Sequence, residues 1–219
     1  MSFYPVNLDI KNRGCLVVGG GAVASRKAGT LAECGAIVTV VSPNFSESLR
    51  ELEKTATVTL VCRPYETSDL DGKFLVIGAT NDEALNRRIN ADAETRHMLC
   101  NIADVPDICN FILPSVIRRG DLVIAVSTSG KSPAFAKKLR KDLEKNFGDE
   151  YGRFLALMGA IRNKLLCTAH APEAHKPLFE RLIHHNLLEL IKNDQKAEIN
   201  RLLFEVLGSG YEYDELVNS

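Results

Sequence analysis

Cys15-Leu-Val-Val-Gly-Gly-Gly-Ala-Val-Ala-Ser-Arg-Lys27 sets a short apolar strand, a glycine turn and the start of a helix end to end. Gly19, Gly21 and Ala24 fill the three small-residue positions of the G-x-G-x-x-G/A pattern. The first removes a Cβ at the tight turn, the second lets backbone approach a pyrophosphate, and the third lets the helix pack on the strand. Phosphates then meet the free N–H groups and the positive dipole end of the helix. The stretch therefore predicts dinucleotide binding, against a tight turn that binds nothing.

Working outward, apolar runs alternate with helical patterns: a helix from Val23, a strand over Ile37–Val41, a helix near Phe45–Lys54, strands over Thr57–Cys62 and Phe74–Ala79, a helix near Glu83–His97 and a strand over Leu99–Ile102. Such alternation predicts an α/β fold, a Rossmann-type parallel sheet over 1–113 with helices on both faces. Ligands of such sheets bind outside the carboxyl ends of the strands. Gly19–Ala22, Ser42–Asn44, Thr80-Asn81 and Asn101–Asp104 are thus expected on one rim.

Two apolar runs flanking Arg118-Arg-Gly-Asp121 leave no room for a crossover helix and predict a β-hairpin. Ser132-Pro133 then caps a basic helix over Ala134–Phe147. Hairpin and helix over 114–147 read as a dimerisation and substrate segment, followed by an all-helical tail over 148–219 with helices in Phe154–Leu166, Leu178–Ile191 and Ile199–Leu207.

Composition excludes little but sets the class. A 219-residue chain that is 45% hydrophobic buries a full core, and a formal net charge of −1 argues against a nucleic-acid or membrane surface as the main partner. Six cysteines without a C-x-x-C pair, with Cys15, Cys62 and Cys100 inside apolar runs, read as reduced, buried thiols of a cytoplasmic protein. The N-terminus lacks a signal-peptide pattern and no run reaches membrane-spanning length. His170, His175, His184 and His185 lack the i, i+4 spacing of a helical zinc pair and read as surface residues, so no metal site is expected.

Several positions carry possible chemistry. An NAD fingerprint places Asp or Glu about 20 residues beyond the glycines to hold the ribose. Here the second strand ends in Ser42-Pro43, so Ser42 or Asn44 takes that role and both NAD and NADP stay open. Thr80 or Asn81 faces the nicotinamide half, in competition with a simple helix-capping role for the segment. Asp104 and Asp107 follow the last strand on a loop stiffened by Pro106, where a partly buried carboxylate serves as a general base or merely turns the chain. Ala125-Val-Ser-Thr-Ser-Gly-Lys-Ser132 fits a relaxed phosphate-loop pattern, but Pro133 disfavours the helical conformation such a loop needs at Ser132. Ser127, Thr128, Ser129, Gly130, Lys131 and Ser132 are better read as an anion-binding helix start. Between Arg118 and Lys145, eight Lys or Arg face three acids, either for a polyanionic small molecule or as a solvated face.

Taken together, Gly19–Lys27, Ala79-Thr-Asn81, Asn101-Ile-Ala-Asp104-Val-Pro, Phe111-Ile-Leu-Pro-Ser115 and Ser127–Pro133 resemble the precorrin-2 dehydrogenase module of siroheme synthases over roughly residues 3–147. The resemblance implies NAD-dependent oxidation of precorrin-2 to sirohydrochlorin and, in bifunctional members, ferrochelatase (lyase) insertion of Fe²⁺ to give siroheme. It implies Asp104 as the general base and Ala22, Val23, Pro43 and Asn44 as cofactor contacts, with Thr80 and Asn81 nearby. It also implies a homodimer, and a phosphorylated position of some fused members at Thr128. The competing class is an NAD-sensing regulatory module without catalysis, which needs neither Asp104 nor the basic hairpin.

Overall fold

The computed structural model describes residues 3–54, 57–103, 105–167 and 172–217, with the side chains of 172–174 left aside. The chain divides into two compact units, Met1–Leu113 and Pro114–Ser219. The boundary expected at 147/148 falls inside the second.

In the first unit, strands β1 (Gly14–Val18), β2 (Ile37–Val41), β3 (Val58–Val61), β4 (Leu75–Gly78) and β5 (Leu99–Ile102) form one parallel sheet in the order β3-β2-β1-β4-β5. Helices α1 (Ala22–Glu33), α2 (Glu47–Glu53) and α3 (Glu83–Glu94) make three of the four crossovers, and a 3₁₀ turn at Thr67–Leu70 lies in the fourth, between β3 and β4. Both faces of the sheet are covered, which is why β1 is apolar throughout rather than alternating. Cys15 and Val17 join Ala24, Ala28 and Leu49 in one core, whereas Leu16 and Val18 join Ile89, Ala93 and Ile102 in the other. The chain leaves β1 towards β2 and β3, then returns to lay β4 on the opposite edge of β1. The carboxyl ends of β1 and β4 therefore form the switch point at which such sheets bind ligands.

The second unit pairs β6 (Ser115–Arg119) with β7 (Leu122–Val126) in an antiparallel hairpin, followed by α4 (Pro133–Glu144). Helices α5 (Glu150–Cys167), α6 (Pro172–His184), α7 (Leu187–Lys192), α8 (Lys196–Leu207) and α9 (Tyr213–Val217) complete it. Leu157, Ile161, Leu182, Leu187, Ile199 and Leu203 make its core. Gly120, at φ +55°, closes the hairpin turn, and a Cβ there would lie 3.3 Å from Gly152 Cα on α5, so two glycines let turn and helix approach closely.

Four expectations change. The helix expected over Leu178–Ile191 is two helices, because Asn186 adopts φ +57° and starts α7 from a left-handed residue. The basic helix ends at Glu144 rather than Phe147, whose carbonyl instead accepts from Arg119 Nε at 2.9 Å. Cys15 and Cys100 are buried, but Cys62 is exposed at the end of β3, where the strand leaves the sheet, and Cys167 is exposed at the end of α5. His175 is buried rather than a surface residue, because it lies on the first turns of α6, a helix packed into the helical core; His170 lies outside the described residues.

Ile161 is fully buried whereas Phe204 is 65% exposed. Ile161→Ala is expected to cost about 2–5 kcal/mol in urea unfolding through lost contacts and a cavity, and Phe204→Ala no more than about 0.5 kcal/mol.

Candidate functional site

A cleft of about 410 Å³ opens at the switch point, lined by Gly19, Gly20, Gly21, Ser42, Pro43, Pro64, Tyr65, Thr80 and Asn81 among others. Each ladder runs one step past its strand: Gly19 N donates to Val41 O (3.0 Å), Ala79 N to Val18 O (2.7 Å) and Ala103 N to Gly78 O (2.8 Å). The ends of β1, β2 and β4 are thereby locked in register around the glycine turn.

The three consecutive glycines do different work. Gly19 adopts φ +129°, and a Cβ there would lie 2.3 Å from Ala79 O. At Gly20 a Cβ would lie 1.7 Å from Asn44 O and 2.7 Å from Ser42 Oγ, while Gly20 O accepts from Ser46 N at 2.8 Å. Gly20 is thus the wedge between the glycine turn and the loop after β2. The fingerprint leaves this position open to any residue, so sequence reading missed it. Gly21, in contrast, has nothing within 4 Å of an added Cβ. It is the N-cap of α1, contributes no side-chain acceptor, and no acid lies in the first turn. The N–H groups that open α1 therefore carry no side-chain cap next to Gly21, which lines the cleft, an arrangement that fits a pyrophosphate.

Ser42 is buried, and its Oγ accepts from Asn44 N at 3.5 Å. With Gly20 pressed against that hydroxyl, the position has no room for the longer acid of an NAD fingerprint. Pro43 lines the cleft beside Ser42, whereas Asn44 takes part through its backbone. Ala22 and Val23 open α1 but do not line the cleft.

On the opposite rim, Asp82 caps α3 by accepting from Leu85 N (3.0 Å). The Thr80 hydroxyl accepts from Asp82 N (3.2 Å) and donates to Asn86 Oδ1 (2.9 Å), and Asn86 Nδ2 returns a bond to Thr80 O (3.0 Å). Asp82 caps and Thr80 is fixed by buried Asn86, and both line the cleft together with exposed Asn81.

Tyr65 was not visible as a site residue in the sequence. It lines the cleft and donates from Oη to Asp92 Oδ2 at 3.0 Å. Burial, then the bond to Asp92, pushes its phenol well above the usual range. It stays neutral and serves as wall rather than base.

Asn101, expected on this rim, is turned into the fold, donating from Nδ2 to Phe111 O at 3.0 Å. Asp104 lies outside the described residues. The segment returning past it is pinned by Cys109, whose Sγ accepts from Ile102 N (3.1 Å), and by Asn110, whose side chain bonds Cys100 N and Met98 O (both 2.8 Å). Burial pushes the Cys15 thiol to about 11 and that of Cys100 to about 12. Neither provides a thiolate nucleophile.

In the second unit, Ser127 Oγ accepts from Ser129 N (3.1 Å), Thr128 Oγ1 from Ser132 N (3.1 Å) and Ser132 Oγ from Phe135 N (3.3 Å). Ser129 and Gly130 adopt φ +53° and +80°. Each hydroxyl thus satisfies a backbone donor and keeps its own proton to give. Ser132 lies outside the helix with Pro133 at its first position, unlike the serine of a phosphate loop. Of the basic residues, Arg119, Lys138, Arg140 and Lys145 are spent on Glu144, Asp149 or Asp142, whereas Lys131, Lys137 and Lys141 make no ion pair among the described residues.

A family model described as "Putative NAD(P)-binding" matches residues 6–115, and one described as "Sirohaem biosynthesis protein central" matches residues 119–146. A siroheme synthase of Thioalkalivibrio sulfidiphilus is 38% identical over 210 residues, 96% of this chain and 43% of that protein. One of Escherichia coli O157:H7 is 37% identical, covering 90% of this chain and 44% of its own length. The chain thus spans less than half the length of these curated relatives. Among solved structures, "SirC, precorrin-2 dehydrogenase" superposes with a TM-score of 0.72 at 28% identity, covering 87% of this chain and all of that one. No helix of the described residues is long and apolar enough to cross a membrane.

Gly20→Ala is expected to lower the melting temperature by several degrees or prevent folding, because backbone rather than a side-chain tip occupies the space. Gly21→Ala, with open space above it, is expected to shift the melting temperature by no more than about 2 °C in calorimetry.

Proposed function

The chain belongs to the NAD(P)-binding family of the siroheme synthases, and from that premise we propose that it oxidises precorrin-2 to sirohydrochlorin with NAD. The observation that carries the reading is the uncapped start of α1 beneath Gly21, set at the switch point of the sheet. Gly19, Gly21, Ala22 and Val23 hold the pyrophosphate through backbone. Ser42, Pro43 and Asn44 flank the ribose, and Thr80 and Asn81 the nicotinamide.

When bound, the nicotinamide supplies a hydride acceptor. Loss of two hydrogens from precorrin-2 then leaves one proton for the protein to remove, and Asp104 is assigned as the base that takes it. Neutral Tyr65 forms part of the cleft wall.

The substrate is a polycarboxylate. We assign Ser127, Thr128, Ser129, Gly130, Lys131 and Ser132 to its carboxylates, since the hydroxyls retain protons to donate and Lys131 makes no ion pair among the described residues. Phosphorylation at Thr128 would remove one of these donors and place negative charge where the substrate brings its own. The relatives' name, siroheme synthase, extends the proposal to insertion of Fe²⁺ into sirohydrochlorin. Iron enters as a substrate, and the same Asp104 receives pyrrole protons. A second copy of the chain is assigned to the exposed outer face of the hairpin, Val116 and Val123, and to Phe135 and Leu139 on α4. A cytoplasmic setting keeps the free thiols reduced.

Asp104→Asn should lower anaerobic NADH formation from precorrin-2 by about 100-fold or more while leaving the Kd for NAD within about twofold by titration calorimetry. Unchanged turnover removes Asp104 from the reaction, and NAD binding without tetrapyrrole turnover in the unaltered chain favours the regulatory reading. Phe135→Glu is expected to shift sedimentation from dimer to monomer.

A further inference from the structure

The end of the second strand is where a dinucleotide fold tells NAD from NADP, with an acid on the 2′-hydroxyl or an arginine on the 2′-phosphate. Ser42 supplies no acid. The adjacent strand supplies an arginine. Arg63 follows β3, and its two successors, Pro64 and Tyr65, line the cleft on the same side as Ser42 and Pro43. Cys62 Sγ donates to Pro43 O at 3.3 Å and Ser42 N to Val61 O at 3.2 Å, so the ends of β2 and β3 are held together. Arg63 Nη1 donates to Pro64 O at 2.9 Å, so the guanidinium is tied to the backbone of a residue that lines the cleft.

That guanidinium is already engaged. Nη1 and Nη2 form a two-pronged contact with the Asp69 carboxylate at 2.9 and 2.5 Å. Asp69, with a side chain only 8% exposed, is fixed in turn by Glu66 N at 2.9 Å. Burial alone would raise its carboxyl, but the bonds from Arg63 and Glu66 prevail and hold it below the usual carboxylate range.

We propose that Asp69 sets the choice of dinucleotide by keeping Arg63 in this two-pronged pair, so that the cleft takes a free 2′-hydroxyl and rejects a 2′-phosphate. The inference rests on the reading of the cleft as a dinucleotide site. A 2′-phosphate would have to displace a carboxylate that already matches the guanidinium fork, whereas a hydroxyl requires nothing of Arg63.

Titration calorimetry of the full chain with NAD and with NADP tests this on two variants that move charge in opposite directions. Asp69→Asn releases Arg63 and is expected to tighten NADP about tenfold with NAD within about twofold. Arg63→Gln leaves an unpaired carboxylate and is expected to weaken NADP a further threefold or more, roughly, again sparing NAD. Opposite movement of NADP alone is the signature, since a merely structural pair would move both dinucleotides together. NADP affinity that is unchanged, or that follows NAD in either variant, overturns the proposal. If Asp69→Asn does not fold, Arg63→Gln decides by itself. If the unaltered chain binds neither dinucleotide, the reading of the cleft fails, whereas NAD binding with an unmoved NAD-to-NADP ratio sinks only the role of Asp69.

Discussion

The contact on which the site depends is between backbone and backbone, where Gly20 meets the carbonyl of Asn44 with no space for even a methyl group. Gly19 meets Ala79 O in the same way on the other side. The glycine turn is therefore clamped between the loops that follow β2 and β4, and its position is set by two carbonyls rather than by side chains. Because those loops also carry Ser42, Pro43, Thr80 and Asn81, one steric constraint assembles the rim. Gly21 is then free to leave the start of α1 open, since the neighbours on either side already hold the turn in place.

A second layer of constraint comes from side chains that imitate backbone. Asn86 holds Thr80 through both ends of its carboxamide. Asn110 does the same for the edge of β5, bonding Cys100 N and Met98 O as an adjoining strand would. Asn86 is buried and the bonds of Asn110 are half-buried, and in low dielectric such bonds are costly to leave unmade. Asn86 thereby stiffens the rim at Thr80, and Asn110 the start of β5.

Much of this was legible in the sequence because it rests on short-range patterns. The strand–glycine–helix stretch at 15–27, the alternation through Ile102, the hairpin around Gly120 and the cap at Ser132 each follow from local chemistry, and the observed elements differ mainly by a few residues at their ends. What stayed hidden depends on contacts between distant segments. Gly20 sits at an unrestricted position of its motif and is fixed by a residue 24 positions away. Tyr65 reaches the cleft from an irregular loop and is oriented by Asp92, 27 positions on. Arg63 and Asp69 belong to no sequence motif, and only the pairing of β2 with β3 sets Arg63 two residues past Val61, whose carbonyl accepts from Ser42 N. Asn186 breaks a helix whose apolar spacing runs on without interruption. The absence of an acid at Ser42 was visible at once, but its reason, the glycine pressed against the hydroxyl, is a fact of packing.

In the proposed reaction the clamped glycine turn is the cofactor cradle of an oxidation that parts two hydrogens of precorrin-2 into a hydride and a proton. Anaerobic turnover of the purified chain with precorrin-2 and NAD, with NADH and sirohydrochlorin followed together by absorbance, measures this directly. One NADH for each sirohydrochlorin formed, and none without precorrin-2, is the predicted result. Sirohydrochlorin appearing without NADH, or no NADH despite bound NAD and intact substrate, would contradict it.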